Sequence, residues 1–340
     1  MLHRPLYRFL GHFLGKKDRR KLATKILMEP DFNYGIRNAQ LVNSRTILFA
    51  CDIHPINPQS SIANTAYLDS IPTKLANYSK TNPTSMPSVF VPSDGLVYFS
   101  NQIQPQLKQA FILVSGDSDL PINTSSLGSA LENLLANPLL MAWHAQNRDF
   151  NHPKLHSLPI GINLHNLWSN PLQWGGGFIL PTLQELQLQT IAENAPSLLN
   201  RQQKIFCNWH FSIDRADRKD CLERIDKSTC FFQPEPRPMV KTWEMQSQFQ
   251  FVLSPHGAGF DCHRTWEALL LGCIPIVKVA KINDLFEGLP VIGVHDWAEI
   301  NPKFLEDAAQ EIAHKTFNLE KLSMRYWKSK IKSSASNQKP

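Results

Sequence analysis

The side chains best suited to hold an anionic, hydroxyl-rich ligand are gathered between residues 250 and 300. The run is Phe251-Val-Leu-Ser-Pro-His-Gly-Ala-Gly-Phe-Asp-Cys-His-Arg-Thr-Trp-Glu-Ala-Leu-Leu-Leu-Gly-Cys-Ile-Pro-Ile-Val-Lys278. An apolar strand ends at Ser254, followed by a tight loop with His256, in which Gly257 and Gly259 let a backbone approach a ligand closely. Asp261 is placed to cap the next helix, whose first amides suit a phosphate. That helix presents His263, Arg264 and Glu267. Arg264 and Glu267 are three apart and share a face. A guanidinium holds a diphosphate through two parallel hydrogen bonds. A carboxylate in this position accepts hydrogen bonds from ribose hydroxyls. Lys278, at the end of the following strand, either reaches a phosphate or faces solvent. Arg264 and Glu267 could equally form a surface ion pair, and His256 and His263 could be ordinary loop histidines.

Such residues need a sheet to position them. After residue 200, strand and helix patterns alternate. Strands are expected at Lys204–Phe211, Thr229–Phe232, Phe251–Ser254, Ile274–Lys278 and Pro290–Val294. Helices are expected at Ala216–Asp226, Met239–Gln248, Cys262–Leu271 and Pro302–His314. Strict alternation implies a parallel sheet with helices on both faces, and the Gly loop falls at a strand's carboxyl end, where such sheets bind ligands. Asp296 and Trp297 read as a cap and a core residue. The earlier region is less regular. Strands are expected at Thr46–Cys51, Ser88–Val91, Phe111–Ser115 and Leu158–Ile162, helices at Gln102–Gln109 and Leu127–Ala136, and loops over 55–87. Trp168 to Gly177 reads as a loop, followed by a helix over 182–194. The resulting division is a basic amphipathic segment (1–25), a first α/β domain (26–170), a linker with a helix (171–200), a second, Rossmann-like domain (201–320) and a basic, partly disordered tail (321–340).

Charge is unevenly spread along the 340 residues. Residues 1–25 hold eight Lys/Arg and one Asp, and residues 321–340 hold six Lys/Arg and no acid. The net charge of +6 therefore hides a body that is net acidic by seven. An acidic body argues against a nucleic-acid groove, whereas basic ends fit an anionic membrane surface. At the N-terminus, Leu2, Leu6, Phe9, Leu10, Phe13 and Leu14 fall on one helical face beside many basic residues. This suits either an interfacial helix or an ordinary packed one. No apolar run is long enough to span a bilayer, and no signal-peptide core is visible. The six cysteines form no CxxC pair and sit mostly in apolar runs. They read as small buried hydrophobes rather than metal ligands, in a reducing, cytoplasmic compartment.

The segment Ser254-Pro-His-Gly-Ala-Gly-Phe-Asp-Cys-His-Arg-Thr-Trp-Glu-Ala-Leu269 resembles the exostosin-type glycosyltransferases, in particular relatives of the ribitol xylosyltransferase kind. The likeness continues through Leu271–Lys278, Leu289–Val291 and Asp296–Trp297. It is weaker at Trp143-His-Ala-Gln-Asn147, His152–Leu155 and Leu158–Ile162. It implies a GT-B architecture, with two facing Rossmann-like domains, and inverting transfer from a nucleotide-sugar, UDP-linked for choice, to a saccharide acceptor without metal or cofactor. It further implies that Arg264 and the Gly257–Gly259 loop hold the diphosphate and Glu267 the ribose, with Arg218 as a further phosphate contact. Animal relatives carry a membrane anchor that is not evident here, which favours a cytoplasmic enzyme, peripheral on the membrane face.

Inversion needs a general base near the acceptor hydroxyl. Phe111-Ile-Leu-Val-Ser-Gly-Asp117-Ser-Asp119 is a buried strand ending in two carboxylates; Asp119 is the first candidate and Asp117 the second, although the same residues make a good turn. Asp52 and His54 are rivals. The leaving charge would be met by Arg264 and helix amides. Two other functions fit the same sequence. One is a polysaccharide pyruvyl transferase-like enzyme on this fold, and the other is a non-catalytic carbohydrate-binding or scaffold protein.

Overall fold

The computed structural model describes residues 35–56, 64–164, 181–209, 216–235 and 237–334. The amphipathic segment 1–25 and the loop from Trp168 to Gly177 lie outside these residues. Among the described residues the chain builds two sheets, and the strand pairings within them are parallel.

The first half contributes α1 (Ser44–Ala50), α2 (Thr65–Thr81), β1 (Ser88–Pro92), β2 (Phe111–Gly116), α3 (Thr124–Leu127), α4 (Ser129–Ala136), β3 (Leu140–Ala145) and β4 (Leu155–Ser157). Its strands stand in sequence order, β1-β2-β3-β4. The second half contributes α5 (Pro181–Asn194), β5 (Gln202–Cys207), α6 (Arg218–Arg224), β6 (Cys230–Phe232), α7 (Met239–Gln246), β7 (Phe249–Leu253), α8 (His263–Leu270), β8 (Ile274–Lys278), β9 (Ile292–Val294), α9 (Pro302–Ala313) and α10 (Met324–Ser333). Its strand order is β6-β5-β7-β8-β9. Every residue of β1, β2 and β7 is buried, as expected for strands covered on both faces.

Several first-half expectations are corrected. Thr46–Cys51 is not a strand. Asn43 accepts a hydrogen bond from Thr46 N (2.8 Å) and starts helix α1 there. Residues 55–87 are not all loop, because α2 runs through them. Asn64 caps it, and Tyr67, Leu68, Ile71 and Leu75 form its buried stripe, with Pro72 inside the helix. Leu158–Ile162 is not a strand of the sheet. β4 stops at Ser157, and the chain crosses through Pro159 and Gly161 (φ +65°), where a Cβ would fall 2.1 Å from Val42 O. The helix expected at Gln102–Gln109 is replaced by short helical turns between 93 and 106. The basic tail from 321 includes α10, which buries Met324, Trp327 and Ile331, and its residues 335–340 lie outside the described residues.

Three apolar cores result among the described residues. One lies between the first sheet and α2 and α4, through Val89, Leu113, Trp143, Leu68 and Leu131. Another lies under α6 and α9, through Ile205, Phe251, Ile276, Cys221 and Leu305. The third joins the halves, running from Phe90, Ile112 and Val114 through α1 and α10 to Phe206, Val252, Trp243 and Trp266. The two sheets therefore share a core instead of resting on separate ones.

Candidate functional site

In the second sheet the chain order reverses between β5 and β7. β5 feeds β6 on one side, and β7 feeds β8 away on the other. Open parallel sheets bind ligands at the carboxyl ends of such strands. Arg264, in the first turn of α8, spans this reversal. Its Nε donates to Asn208 O just past β5 (3.0 Å), and its Nη1 lies 3.5 Å from Ser254 Oγ and Pro255 O just past β7. The guanidinium also sits over the Trp209 ring, 5.4 Å from its centroid. Ser254 is buried and its hydroxyl meets Thr265 Oγ1 at 2.8 Å, which ties the strand end to α8. Arg264 makes no ion pair with Glu267, so the surface-pair alternative does not hold.

The Gly loop departs from expectation. Asp261 does not cap α8; the capping position is Cys262, whose side chain makes no capping bond. Asp261 is buried, and its carboxylate accepts from Ile160 N (2.7 Å) and Trp266 Nε1 (2.9 Å). Burial pushes its pKa up to about 7, against these hydrogen bonds. The amides of Phe260 and Asp261, in the loop before the helix, donate to Asn147 Oδ1 at 2.9 and 3.2 Å. Asn147 Nδ2 also donates to Ser118 O (3.1 Å), in the loop after β2. One side chain thus joins the carboxyl edges of the two sheets. Gly259 permits this, since a Cβ there would fall 2.6 Å from Asn147 Oδ1. At Gly257 a Cβ would lie 3.2 Å from Arg218 Nη2, so Arg218 reaches the loop.

The remaining donor-side candidates divide into two groups. His256, Lys278, Arg218 and Asp217 cluster on the α6 side. Burial lowers the His256 pKa, opposed by the Asp217 carboxylate. Lys278 Nζ is 2.9 Å from Asp220 Oδ2 on α6 and is partly exposed, so it is ion-paired while still open to solvent. Glu267 and His263 are engaged by other elements, although the Arg264 charge still reaches Glu267. Glu267 accepts from Trp243 Nε1 (3.1 Å), and burial pushes its pKa up to about 7. His263 Nδ1 meets Gly161 O at 2.6 Å, and burial lowers its pKa to about 4. His263 thus fastens α8 to the crossing segment.

The base candidates separate clearly. Asp117 is buried with φ +58°, and its carboxylate lies 3.2 Å from Arg45 Nη1 on α1. Asp119, two residues on, is exposed. Asp52 Oδ2 accepts from Ser88 N (2.9 Å) and Ser88 Oγ (2.8 Å) at the amino end of β1, the edge opposite the loops above. His54 Nδ1 meets Pro55 O at 2.9 Å. Among the described residues no cluster of His, Cys, Asp or Glu is placed to hold a metal ion.

Asn147, Asn208, Trp209 and Asp217 were not among the sequence candidates. Asn147 had a signal, because it ends the apolar run Leu140–Ala145 with Gln146, at a strand's carboxyl end. The fold is an α/β architecture of two parallel sheets in the Rossmann-like manner. No family model matches the chain, and no curated protein sequence matches it.

Proposed function

We propose that the protein transfers a glycosyl group from a nucleoside diphosphate sugar to a saccharide acceptor, on a GT-B-like arrangement of its two sheets. The observation that carries this reading is Arg264, anchored to the backbone past both β5 and β7 at the point where strand order reverses. A cation fixed there offers its remaining N–H groups to a diphosphate. Arg218, beside Gly257, adds a second cation, and His256 an imidazole near the same loop. Glu267 takes the ribose in this reading, with Trp243 holding one of its oxygens. The acceptor lies toward the loop after β2, where Asp119 removes the hydroxyl proton. The acceptor oxygen then bonds to the anomeric carbon as the bond to the diphosphate breaks, and Arg264 meets the leaving charge.

The test is thermal stability of the full chain with a panel of nucleoside diphosphates and their sugars, alongside Arg264→Ala and Glu267→Ala. A ligand at about 100 times its Kd stabilises the fold by about 2.7 kcal/mol. The expected result is a rise in Tm with one nucleotide base, lost in Arg264→Ala and weakened in Glu267→Ala. No shift of the wild-type protein with any nucleotide would overturn the reading.

A further inference from the structure

Two histidines of the first sheet meet beside the last turn of α10. His144 on β3 and His156 on β4 are register partners, so their side chains leave the sheet on the same face. The rings lie 5.2 Å apart, tilted by 35°. His156 is half-buried, whereas His144 is fully buried. His144 Nε2 is 2.9 Å from Ser334 Oγ, and that hydroxyl donates its proton to Lys330 O (2.9 Å). Ser334 therefore accepts from His144, which carries its proton on Nε2. Nδ1 is left as a buried lone pair with no hydrogen-bond partner. An apolar side chain would fill this place without that cost, so packing alone does not explain an imidazole here.

Charge around the pair is one-sided. From α10, Lys330 faces both rings. Arg148, in the loop after β3, faces His156. Asp284, from the turn after β8, also faces His156, but it already accepts from Ser157 Oγ (2.6 Å) and pairs with Arg148 (3.1 Å). Two further elements pack on α10. On α1, Arg45 is paired with Asp117. In the turn Leu319–Leu322, Glu320 is paired with Arg325, and the charge of Lys321 adds to that of Lys330. The carbonyl end of α10 favours cations, but Lys330 and Lys332 already occupy it. A proton added at Nδ1 would find no acceptor and would put a charge in a buried space beside Lys330. Burial accordingly lowers the His144 pKa from 6.5 to about 3, and that of His156 is lowered too.

We propose that the last turn of α10, from Lys330 to Ser334, is a proton-operated latch that closes over His144 while the imidazole pair is neutral. When the pair takes up a proton, the turn lifts and water reaches the rings. The sign follows from the lowered pKa. The closed turn is fully favoured above about 6.5 and loses stability as pH falls from there toward about 3. This inference does not depend on the reaction the protein performs.

The test is hydrogen exchange of the full chain at about pH 7.5 and about pH 5.5, corrected for intrinsic rates, with α9 as the internal reference. Opening lets His144 titrate near 6.5, so the opened fraction of residues 330–334 should rise about tenfold between the two conditions. No matching rise is expected in α9. His144→Gln keeps an N–H for Ser334 but takes up no proton, and should remove most of the rise. His156→Gln, at a half-buried position, and Lys330→Gln, at an exposed one, should each reduce it by removing a facing charge. Three results would overturn the proposal: equal protection of the turn in both conditions, a rise shared equally by α9, or a rise unchanged in every one of these variants that folds.

Discussion

The two sheets end in loops at the same kind of edge, yet the edges are finished differently. In the first sheet, strand order follows sequence order and the edge is closed. Asp117 is spent on Arg45, Gln146 Oε1 accepts from Asp117 N (2.8 Å), and Asn147 fills the space beyond. In the second, strand order reverses and the edge keeps half-buried polar groups, Arg264 and His256 among them, with donor capacity left over. A parallel sheet does not make a site by itself. A reversal of strand order opens the space, and polar capacity not consumed by the fold makes it useful.

If the first edge is structural, removing its buried charge should cost most. Asp117→Asn keeps a residue tolerant of positive φ but leaves the Arg45 guanidinium buried without its counter-charge. Loss of one partner of a buried pair costs about 3–5 kcal/mol, measurable by urea unfolding. A loss below about 1 kcal/mol would mean that the edge is looser than its geometry and would weaken the contrast.

The link between the edges comes next. Gly259→Ala drives a methyl into Asn147 and should destabilise by about 1–3 kcal/mol. Asn147→Ala leaves two loop amides without their acceptor and should cost about as much. Combined, the two should cost less than their sum, because the alanine at 147 vacates the space that the new methyl needs. Additive losses in a double-mutant cycle would show that the loop does not depend on this contact.

Asp261 sets a pH dependence of similar or smaller size. Its folded pKa, about 7, lies above the ordinary 3.8. The folded protein therefore holds a proton that the unfolded chain releases, so this stability is fully present below about 3.8 and lost as pH rises through about 7. Glu267 acts in the same direction, whereas the lowered pKa of His263 opposes it below 6.5. Comparing Asp261→Asn with the wild-type protein isolates the one group. The destabilisation caused by the substitution should be larger at pH 5 than at pH 8, by on the order of 1–3 kcal/mol. A difference independent of pH would show that the carboxyl stays ionised.

The same contrast explains what the sequence disclosed. In the second half, strands are apolar on both faces and helices alternate with them, so Phe251–Ser254, Ile274–Lys278 and Pro302–His314 could be placed to within a few residues. The first half hid its helices. Ile47 and Leu48 of α1 suit either period over so short a run, and the Asn, Pro and Ser residues of 64–82 masked the buried stripe of α2. At the site, Arg264 was legible because it opens a helix after a Gly loop. The partners of Asp261 and His263 were not, because Ile160 and Gly161 lie about a hundred residues away in sequence. Local pattern shows which groups are present, but only tertiary packing decides which of them are already used.

The smallest change in stability is expected at Asp119, and it bears most directly on the function. Its side chain is exposed and two residues from the buried pair, so Asp119→Asn should alter stability by no more than about 0.5 kcal/mol. If it is the base that removes the acceptor proton, turnover should still fall by roughly 10² to 10⁴ while Tm stays in place. Asp117→Asn should lose activity only in step with its loss of folded protein, and under conditions where both variants are folded the two should differ in turnover. Equal turnover in Asp119→Asn and the wild-type protein would remove the base from this loop and leave the first edge with a structural role alone.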